Sequence, residues 1–193
     1  MKRALLFAFG MLLVPSLGRA EAPGAHAKGP VPPPPQAPAV LTAHADIRGL
    51  DGKKIGEVKM EETPHGVLMN VELSGAPAGQ HAFHIHEVGK CEAPFKTAGG
   101  HFNPEGHKHG IKAPEGKHAG DMPNVDVPAD GKLKLQLWNH DVTLKAGEKN
   151  SVFDADGSAL VLHKSADDNL SDPAGAAGDR IACGVIERDG GKK

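Results

Sequence analysis

Hydrophobic and polar residues alternate in short segments along most of this chain, and helical periodicity is scarce. Alternation with a period of two places successive side chains on opposite faces of an extended strand. Turn signals that contain glycine and aspartate separate the segments, for example at residues 50–52 and 129–131. We therefore expect an all-β domain, an antiparallel sandwich or barrel, with strands at residues 41–47, 54–60, 67–73, 81–86, 133–138, 159–163 and 181–187.

Two segments, residues 87–124 and residues 164–180, interrupt this regular spacing. Both are rich in glycine, proline and charged residues, and loops of such length in a compact domain usually carry function. The histidines that draw attention lie in or beside them. The domain is thus predicted to have two long functional loops.

The amino-terminal residues have the pattern of an export signal. A basic start precedes an apolar stretch over residues 4–14, and Gly18 and Ala20 have the spacing of a signal peptidase site. The apolar stretch is about half of the roughly 20 residues that a membrane helix needs. We predict a signal peptide at residues 1–20, an exported protein that is periplasmic or secreted, and no stable membrane insertion after cleavage.

The rest of the chain divides into a linker and one domain. Residues 21–39 are rich in proline, alanine and glycine, a composition that cannot bury a core and is typical of a flexible linker. Residues 40–193 have the size of a single domain. Loss of the signal removes three of the 22 basic residues, which leaves 19 against 24 acidic ones and a net charge of −5. This charge makes nucleic acid an unsuitable partner.

The chain has two cysteines, Cys91 and Cys183. An even number in an exported chain favours a disulfide, because the oxidising compartment lets it persist. Such a bridge would close a loop of about 90 residues, for which the chain-entropy estimate is roughly 4 to 5 kcal/mol. Two unpaired buried thiols are the alternative.

Several histidines have spacings that suit a metal site. His84 and His86 are two residues apart in a strand-like segment, so both imidazoles lie on one face. Alone, this pair fits a metal site and a pair of hydrogen-bonded surface histidines equally well. His163 ends a later strand-like segment and is placed to return to the same face. A glycine- and proline-rich loop then supplies nitrogen and carboxylate ligands that suit a tetrahedral zinc, namely His101, His109, His118 and Asp121.

Three segments resemble those of copper-zinc superoxide dismutases: HAFHIHE at 81–87, GGHFNP at 99–104 and GDRIACGVI at 178–186. The spacings from His84 to His101 (17 residues), on to His109 (8), to His118 (9) and to Asp121 (3) also agree with that family's ligand pattern. The resemblance extends over nearly all of the domain. It implies a Greek-key, immunoglobulin-like β-sandwich or barrel.

The resemblance also implies two metal sites and their ligands. One copper and one zinc ion would be bound per subunit, and His101 would bridge them. Copper would be held by His84, His86, His101 and His163, and zinc by His101, His109, His118 and Asp121. A Cys91–Cys183 disulfide agrees with the same pattern.

The activity implied by the resemblance is disproportionation of superoxide to oxygen and hydrogen peroxide, which would protect the cell envelope. His101 would pass a proton to the product, and Arg180 would attract the anionic substrate. Asp167 matches a carboxylate that accepts hydrogen bonds from one copper ligand and one zinc ligand, here His84 and His109. A solvated loop acid is the alternative interpretation of Asp167.

The placement of Cys91 between His86 and His101 resembles the bacterial periplasmic branch of the family. The loop from His163 to Arg180 is shorter than in eukaryotic members, which puts the carry-over of that branch's charged guidance residues in doubt. A homodimer is expected, with a monomer as the alternative. Two other functions compete: a metal-buffering protein without turnover, and a zinc hydrolase, which would need the open zinc position that four ligands do not leave.

Overall fold

The computed structural model of this protein describes residues 40–190, and β-strands supply nearly all of the regular structure there. Side chains alternate between inside and outside along these strands, as in β3, where Val67, Met69, Val71 and Leu73 are buried. One turn of 3-10 helix covers Lys96–Ala98. The strands are β1 (Thr42–Gly49), β2 (Lys54–Thr63), β3 (Gly66–Ser74), β4 (Gly79–His81), β5 (Phe83–His86), β6 (Val125–Val127), β7 (Lys132–Asn139), β8 (Ala159–His163), β9 (Arg180–Val185) and β10 (Glu187–Arg188).

The strands form one large antiparallel sheet and one small one. The large sheet has the order β5-β8-β9-β1-β2-β3-β7, with β10 paired to β1, and β4 and β6 form a separate pair. Hairpin contacts set the register, so Val58 of β2 lies opposite Val71 of β3, and Met60 lies opposite Met69. Because such strands twist, a sheet of this length curls and encloses a core on one side. The all-β antiparallel fold predicted from the sequence is confirmed.

The main core lies on the inner face of the curled sheet. Ile47, Met69 and Leu160 are fully buried there, and each such side chain contributes roughly 1.5–3 kcal/mol relative to an exposed one. Phe102 and Met122 of the first long loop also belong to this core. The loop is thus held against the sheet by apolar burial as well as by hydrogen bonds.

The prediction of one strand over residues 81–86 was wrong in detail. The segment breaks at Ala82, and β4 pairs with β6 whereas β5 pairs with β8. The predicted strand at 181–187 likewise ends at Val185, before β10. Neither β6 nor β10 was predicted, because strands of two or three residues are too short to show an alternation.

The predicted disulfide is confirmed: Cys91 is bonded to Cys183, with their Cα atoms 5.6 Å apart. The bridge ties the first long loop to β9. The signal peptide at 1–20, the linker at 21–39 and the last three residues of the predicted domain lie outside the described residues. Within residues 40–190, no helix has the length and apolar character needed to cross a membrane.

Candidate metal centre

Strands β5 and β8 carry three of the predicted ligands on one face. In this antiparallel pair His84 lies opposite Val161, and His86 lies opposite Ala159. Directly opposed residues share a face, as do residues two apart in a strand, so His163 joins His84 and His86. The intervening residues Phe83, Ile85, Leu160 and Leu162 face the main core. These two strands are therefore buried on both sides, and the long loops cover the second side.

The first long loop brings the other predicted ligands to this face. Backbone hydrogen bonds fasten it to β5: Ile85 N–H donates to the Gly120 carbonyl at 3.0 Å, and Phe102 N–H donates to the Ile85 carbonyl at 2.9 Å. A third bond, from Gly120 N–H to the Phe102 carbonyl at 2.8 Å, joins the two loop segments. Because Phe102 follows His101 and Gly120 precedes Asp121, these bonds set the positions of both predicted ligands.

Four buried histidines converge beside β5, and we call them the four-histidine cluster: His84, His86, His101 and His163. One ring nitrogen of each lies within 4.8 Å of the others. The Nε2 atoms of His86 and His163 are 3.3 Å apart. His84 Nδ1 and His101 Nε2 are buried and have no hydrogen-bond partner among the described residues. Buried polar atoms normally have partners, so these convergent nitrogens fit a metal ion, and an all-imidazole set suits copper.

A second group, the three-histidine–aspartate cluster, adjoins the first and shares His101 with it. Its ligand atoms also lie within 4.8 Å of one another. The Asp121 Oδ1 atom is 2.8 Å from His101 Nδ1, 3.0 Å from His109 Nδ1 and 3.4 Å from His118 Nδ1. Asp121 Oδ2 accepts hydrogen bonds from the backbone N–H groups of Gly110 and His118. Three imidazoles and one carboxylate in this arrangement fit a closed tetrahedral zinc site.

The outward ring nitrogens are held by acceptors, and this leaves the inward nitrogens free to bind metal. His86 Nδ1 faces the Gly99 carbonyl at 3.1 Å, and His163 Nδ1 faces the Gly178 carbonyl at 3.3 Å. A carbonyl only accepts, so each Nδ1 carries the proton, and the Nε2 of the neutral ring keeps its lone pair. His101 differs, because each of its two nitrogens points into one of the clusters.

Asp167, from the second long loop, connects the two clusters from behind. Its Oδ2 accepts from His84 Nε2 at 2.8 Å, and its Oδ1 accepts from His109 Nε2 at 3.0 Å. The Asp167 side chain is 2% exposed. Asn124 holds the Asp167 backbone at both ends, as its Oδ1 accepts from Asp167 N–H and its Nδ2 donates to the Asp167 carbonyl, both at 2.8 Å. Outer partners of this kind set the tautomer and orientation of metal-binding imidazoles.

Charges in the centre are strongly shifted. Burial lowers the pKa of His101 to about 4 and the pKa of His163 to about 3, so both rings are neutral near pH 7. Burial alone would lower the pKa of His109 as well, but hydrogen bonds to Asp121 and Asp167 raise it to about 9. Metal binding at His109 Nδ1 must therefore release a proton.

The two carboxylates of the centre are held in the charged form. Burial would raise the pKa of Asp121, but hydrogen bonds from His101, His109 and His118 hold that pKa far below its usual range. The pKa of Asp167 is likewise held low against the effect of burial, by hydrogen bonds from His109 and His84. Negative charge is thus available at both carboxylates to balance a bound cation.

Arg180 begins β9 and lies beside the four-histidine cluster. Its Nη1 donates to the Phe95 carbonyl at 2.7 Å, and its Nη2 donates to the Gly99 carbonyl at 2.6 Å. Burial lowers the pKa of this guanidinium, and the charge of Glu87 partly offsets the effect. Arginine stays protonated in proteins, so Arg180 is a fixed cation that retains free N–H groups for an anion.

The structure brings all of the sequence-predicted site residues together. It also adds groups that sequence reasoning missed, namely Asn124 and the carbonyl groups of Gly99, Phe95 and Gly178. Nothing in the sequence pointed to Asn124, because a polar residue at the end of a loop is common. Backbone carbonyls have no signal at all, since every residue has one.

Comparison with known proteins gives a consistent result. The family model described as "Copper/zinc superoxide dismutase (SODC)" matches residues 54–186. The curated relative "Superoxide dismutase [Cu-Zn] 1" from Aquifex aeolicus (strain VF5) is 53% identical over 149 residues, which cover 76% of this chain and 88% of that protein.

Two solved structures are similar in both sequence and shape. A double mutant of a SOD-like protein from Bacillus subtilis has a TM-score of 0.72 and 41% identity, over 74% of this chain and 95% of that one. The Cu/Zn superoxide dismutase from Brucella abortus has a TM-score of 0.61 and 30% identity, over 76% of this chain and 99% of that one. Both likenesses extend over nearly the full length of the matched chains.

Proposed function

This chain belongs to the copper/zinc superoxide dismutase family, and we propose that its two side-chain clusters are the copper and zinc sites at which the reaction takes place. The chain is an oxidoreductase that converts two superoxide anions and two protons to oxygen and hydrogen peroxide. Its cofactors are copper and zinc. The observation that carries the proposed sites is the convergence of two ligand clusters that share one ring, His101.

We assign the four-histidine cluster to copper and the three-histidine–aspartate cluster to zinc. Bound copper would supply the one-electron redox chemistry, and bound zinc would supply charge and rigidity without redox change. The assignment follows the donor sets, because the first cluster has only imidazole nitrogens and the second includes the anionic Asp121. The nitrogens His84 Nδ1 and His101 Nε2 in the first cluster, which have no hydrogen-bond partner among residues 40–190, support it.

His101 is proposed as the residue that handles the proton. Its Nδ1 is fixed in the zinc cluster at 2.8 Å from Asp121 Oδ1, whereas its Nε2 points into the copper cluster with no protein partner among residues 40–190. The Nε2 atom can therefore take up or release a proton without movement of the ring. A proton held there lies where the peroxide product would need it.

Arg180 is proposed to bind superoxide next to the copper ligands. The carbonyl groups of Phe95 and Gly99 fix its guanidinium. The Gly99 carbonyl also accepts a hydrogen bond from His86. A cation fixed in advance costs no reorganisation when the anion arrives. The predicted mature chain has a net charge of −5, so local attraction by Arg180 must overcome a repulsive background.

Superoxide decay measured on the protein reconstituted with both metals tests these roles. We expect rapid superoxide decay in the wild type and near-complete loss of this activity in His101→Ala. For Arg180→Ala we expect kcat/KM to fall roughly tenfold, which is at the low end of the effect that electrostatic steering has on association rates. Arg48→Ala is the matched control, because that guanidinium is 52% exposed on β1 and pairs with Asp46. Full metal binding without decay would contradict the enzyme and favour a metal-buffering protein.

We also propose that residues 1–20 direct export, that residues 21–39 are a linker and that the domain of residues 40–193 acts in the periplasm to protect the cell envelope. The Cys91–Cys183 disulfide supports an oxidising compartment. Mass spectrometry of the protein isolated from the periplasm would test cleavage after Ala20. A homodimer is our expectation for the quaternary structure, and sedimentation would distinguish it from a monomer.

A further inference from the structure

The Gly99 carbonyl is shared by two groups of the proposed active site. It accepts from His86 Nδ1 at 3.1 Å and from Arg180 Nη2 at 2.6 Å. The first bond orients a proposed copper ligand, and the second orients the proposed substrate-binding cation. The direction of this one carbonyl therefore determines how His86 and Arg180 lie relative to each other.

The peptide that carries this carbonyl has an unusual conformation and a specific neighbour. Gly99 has φ 74° and ψ −154°, a region that is essentially open only to glycine. The Glu87 side chain lies directly against it, because a Cβ atom at residue 99 would be 2.7 Å from Glu87 Oε1. Any residue at position 99 that carries a Cβ atom would therefore displace the Glu87 carboxylate.

Glu87 holds the next residue, Gly100, through two hydrogen bonds. Its Oε1 accepts from Gly100 N–H at 2.7 Å, and its backbone N–H donates to the Gly100 carbonyl at 3.0 Å. An isolated antiparallel bridge between His86 and His101 adjoins this contact. The Gly100 N–H belongs to the same peptide unit as the Gly99 carbonyl, so an acceptor on that N–H fixes the direction of the carbonyl.

We propose that Glu87 is a positioning residue for superoxide dismutation, whose carboxylate fixes the Gly99–Gly100 peptide so that one carbonyl orients His86 and Arg180 together. This role rests on the proposed function of those two residues. Because the Glu87 charge also acts on Arg180, the test must separate that charge from the hydrogen bond that Glu87 Oε1 accepts from Gly100. The Glu87 side chain is exposed, so water competes for this hydrogen bond and we expect its loss to change global stability little.

Three substitutions separate an acceptor role from a charge role. Glu87→Gln removes the charge but keeps an oxygen at the same reach, whereas Glu87→Asp keeps the charge and shortens the reach by one methylene. Glu87→Ala removes both. The matched control is Glu92→Ala, an exposed glutamate in the same loop whose carboxylate makes no hydrogen bond or ion pair among the described residues.

The first measurement is made on the metal-free protein and needs no activity. The His86 Nδ1–H resonance is followed by NMR, with its protection from solvent exchange. We expect protection to fall about tenfold in Glu87→Ala and Glu87→Asp, with melting temperatures unchanged, and to remain in Glu87→Gln. Glu92→Ala should match the wild type. Equal protection in all variants would overturn the proposal.

The second measurement is made on the protein loaded with copper and zinc. We expect the copper(II) EPR spectrum to change and kcat/KM to fall roughly three- to tenfold in the alanine and aspartate variants, at or below the range for buried outer partners. Rescue by Glu87→Gln is required, and a glutamine variant as impaired as alanine would show a charge effect and refute positioning. If the loaded wild type were inactive while the NMR effect held, the proposed function would fail and the positioning would stand.

Discussion

Replacement of Asp167 by asparagine tests the connection between the two metal sites. The Asp167 side chain is 2% exposed. Its carboxylate accepts from His84 Nε2 at 2.8 Å, from His109 Nε2 at 3.0 Å and from the backbone N–H of Asn169 at 2.6 Å. Asparagine has nearly the same shape but turns one oxygen into an NH₂ donor. Whichever way the amide faces, one imidazole N–H then meets a donor.

The expected loss follows from these bonds. Hydrogen bonds to charged groups contribute about 1.5–3 kcal/mol each, and one of the two imidazole bonds is lost outright. Loss of an outer partner lowers metal affinity about 10- to 100-fold, which equals roughly 1.4–2.7 kcal/mol at 1.36 kcal/mol per decade. The two estimates agree. We therefore expect the affinity for at least one of the two metals to fall by one to two decades, because each orientation of the amide removes the bond to one ligand, either His84 of the copper set or His109 of the zinc set.

Competition with a chromophoric chelator measures both affinities on the same protein. Asp168→Asn is the matched control, since this neighbouring carboxylate is exposed and bonds to Ser171 and to the backbone at Leu170. The control should retain wild-type affinities for both metals. If Asp167→Asn bound zinc and copper as tightly as Asp168→Asn does, the proposed connecting role would be refuted.

Three further predictions concern stability and the same site. The pKa of His101 (about 4) and that of His163 (about 3) lie below the ordinary value of 6.5. Between these values the unfolded chain binds protons at both histidines, whereas the folded chain does not. Stability of the metal-free protein should fall by several kcal/mol as the pH drops from 6.5 towards 4. The pKa of His109 is raised to about 9, so protonated His109 stabilises the folded state. This contribution is complete below pH 6.5 and is lost as the pH rises through 9. Together the two effects should give the highest melting temperature near pH 6.5. Cys91→Ser opens a loop with a sequence separation of 92 and should cost up to about 4–5 kcal/mol in denaturant melts. Gly175→Ala, at φ 62°, would place its Cβ 1.7 Å from Asp167 Oδ1 and 2.7 Å from His109 Nε2, and it should lower zinc affinity because both groups must move.

Clear outcomes would contradict each of these. A metal-free protein whose melting temperature is flat between pH 4 and 6.5 would show that His101 and His163 are protonated in the fold. A Cys91→Ser protein with an unchanged denaturant midpoint would mean that the bridge adds no stability. Gly147→Ala is the control for Gly175, because it also has a positive φ, 84°, but its Cβ would meet nothing within 4 Å. Equal zinc affinity in the two alanine variants would remove the steric argument.

The sequence by itself determined the architecture class and the chemistry of the ligands. Alternation of apolar and polar residues predicted most strands, because a strand's period of two is a local property that the chain carries in one dimension. The ligand types and their spacing in the first loop were also local, with His101, His109, His118 and Asp121 within 21 positions. Resemblance to a known family then implied their division between two metals.

Only the tertiary structure decided how distant residues meet. The break at Ala82 lets β4 pair with β6 while β5 pairs with β8. Asp167 contacts His84 and His109, which lie 83 and 58 positions away in the chain. Such contacts depend on sheet register and loop packing, which no local pattern records. The Gly99 carbonyl that joins His86 to Arg180 was hidden for a different reason. Every residue has a backbone carbonyl, so its role comes from its direction in space and leaves no mark in the sequence.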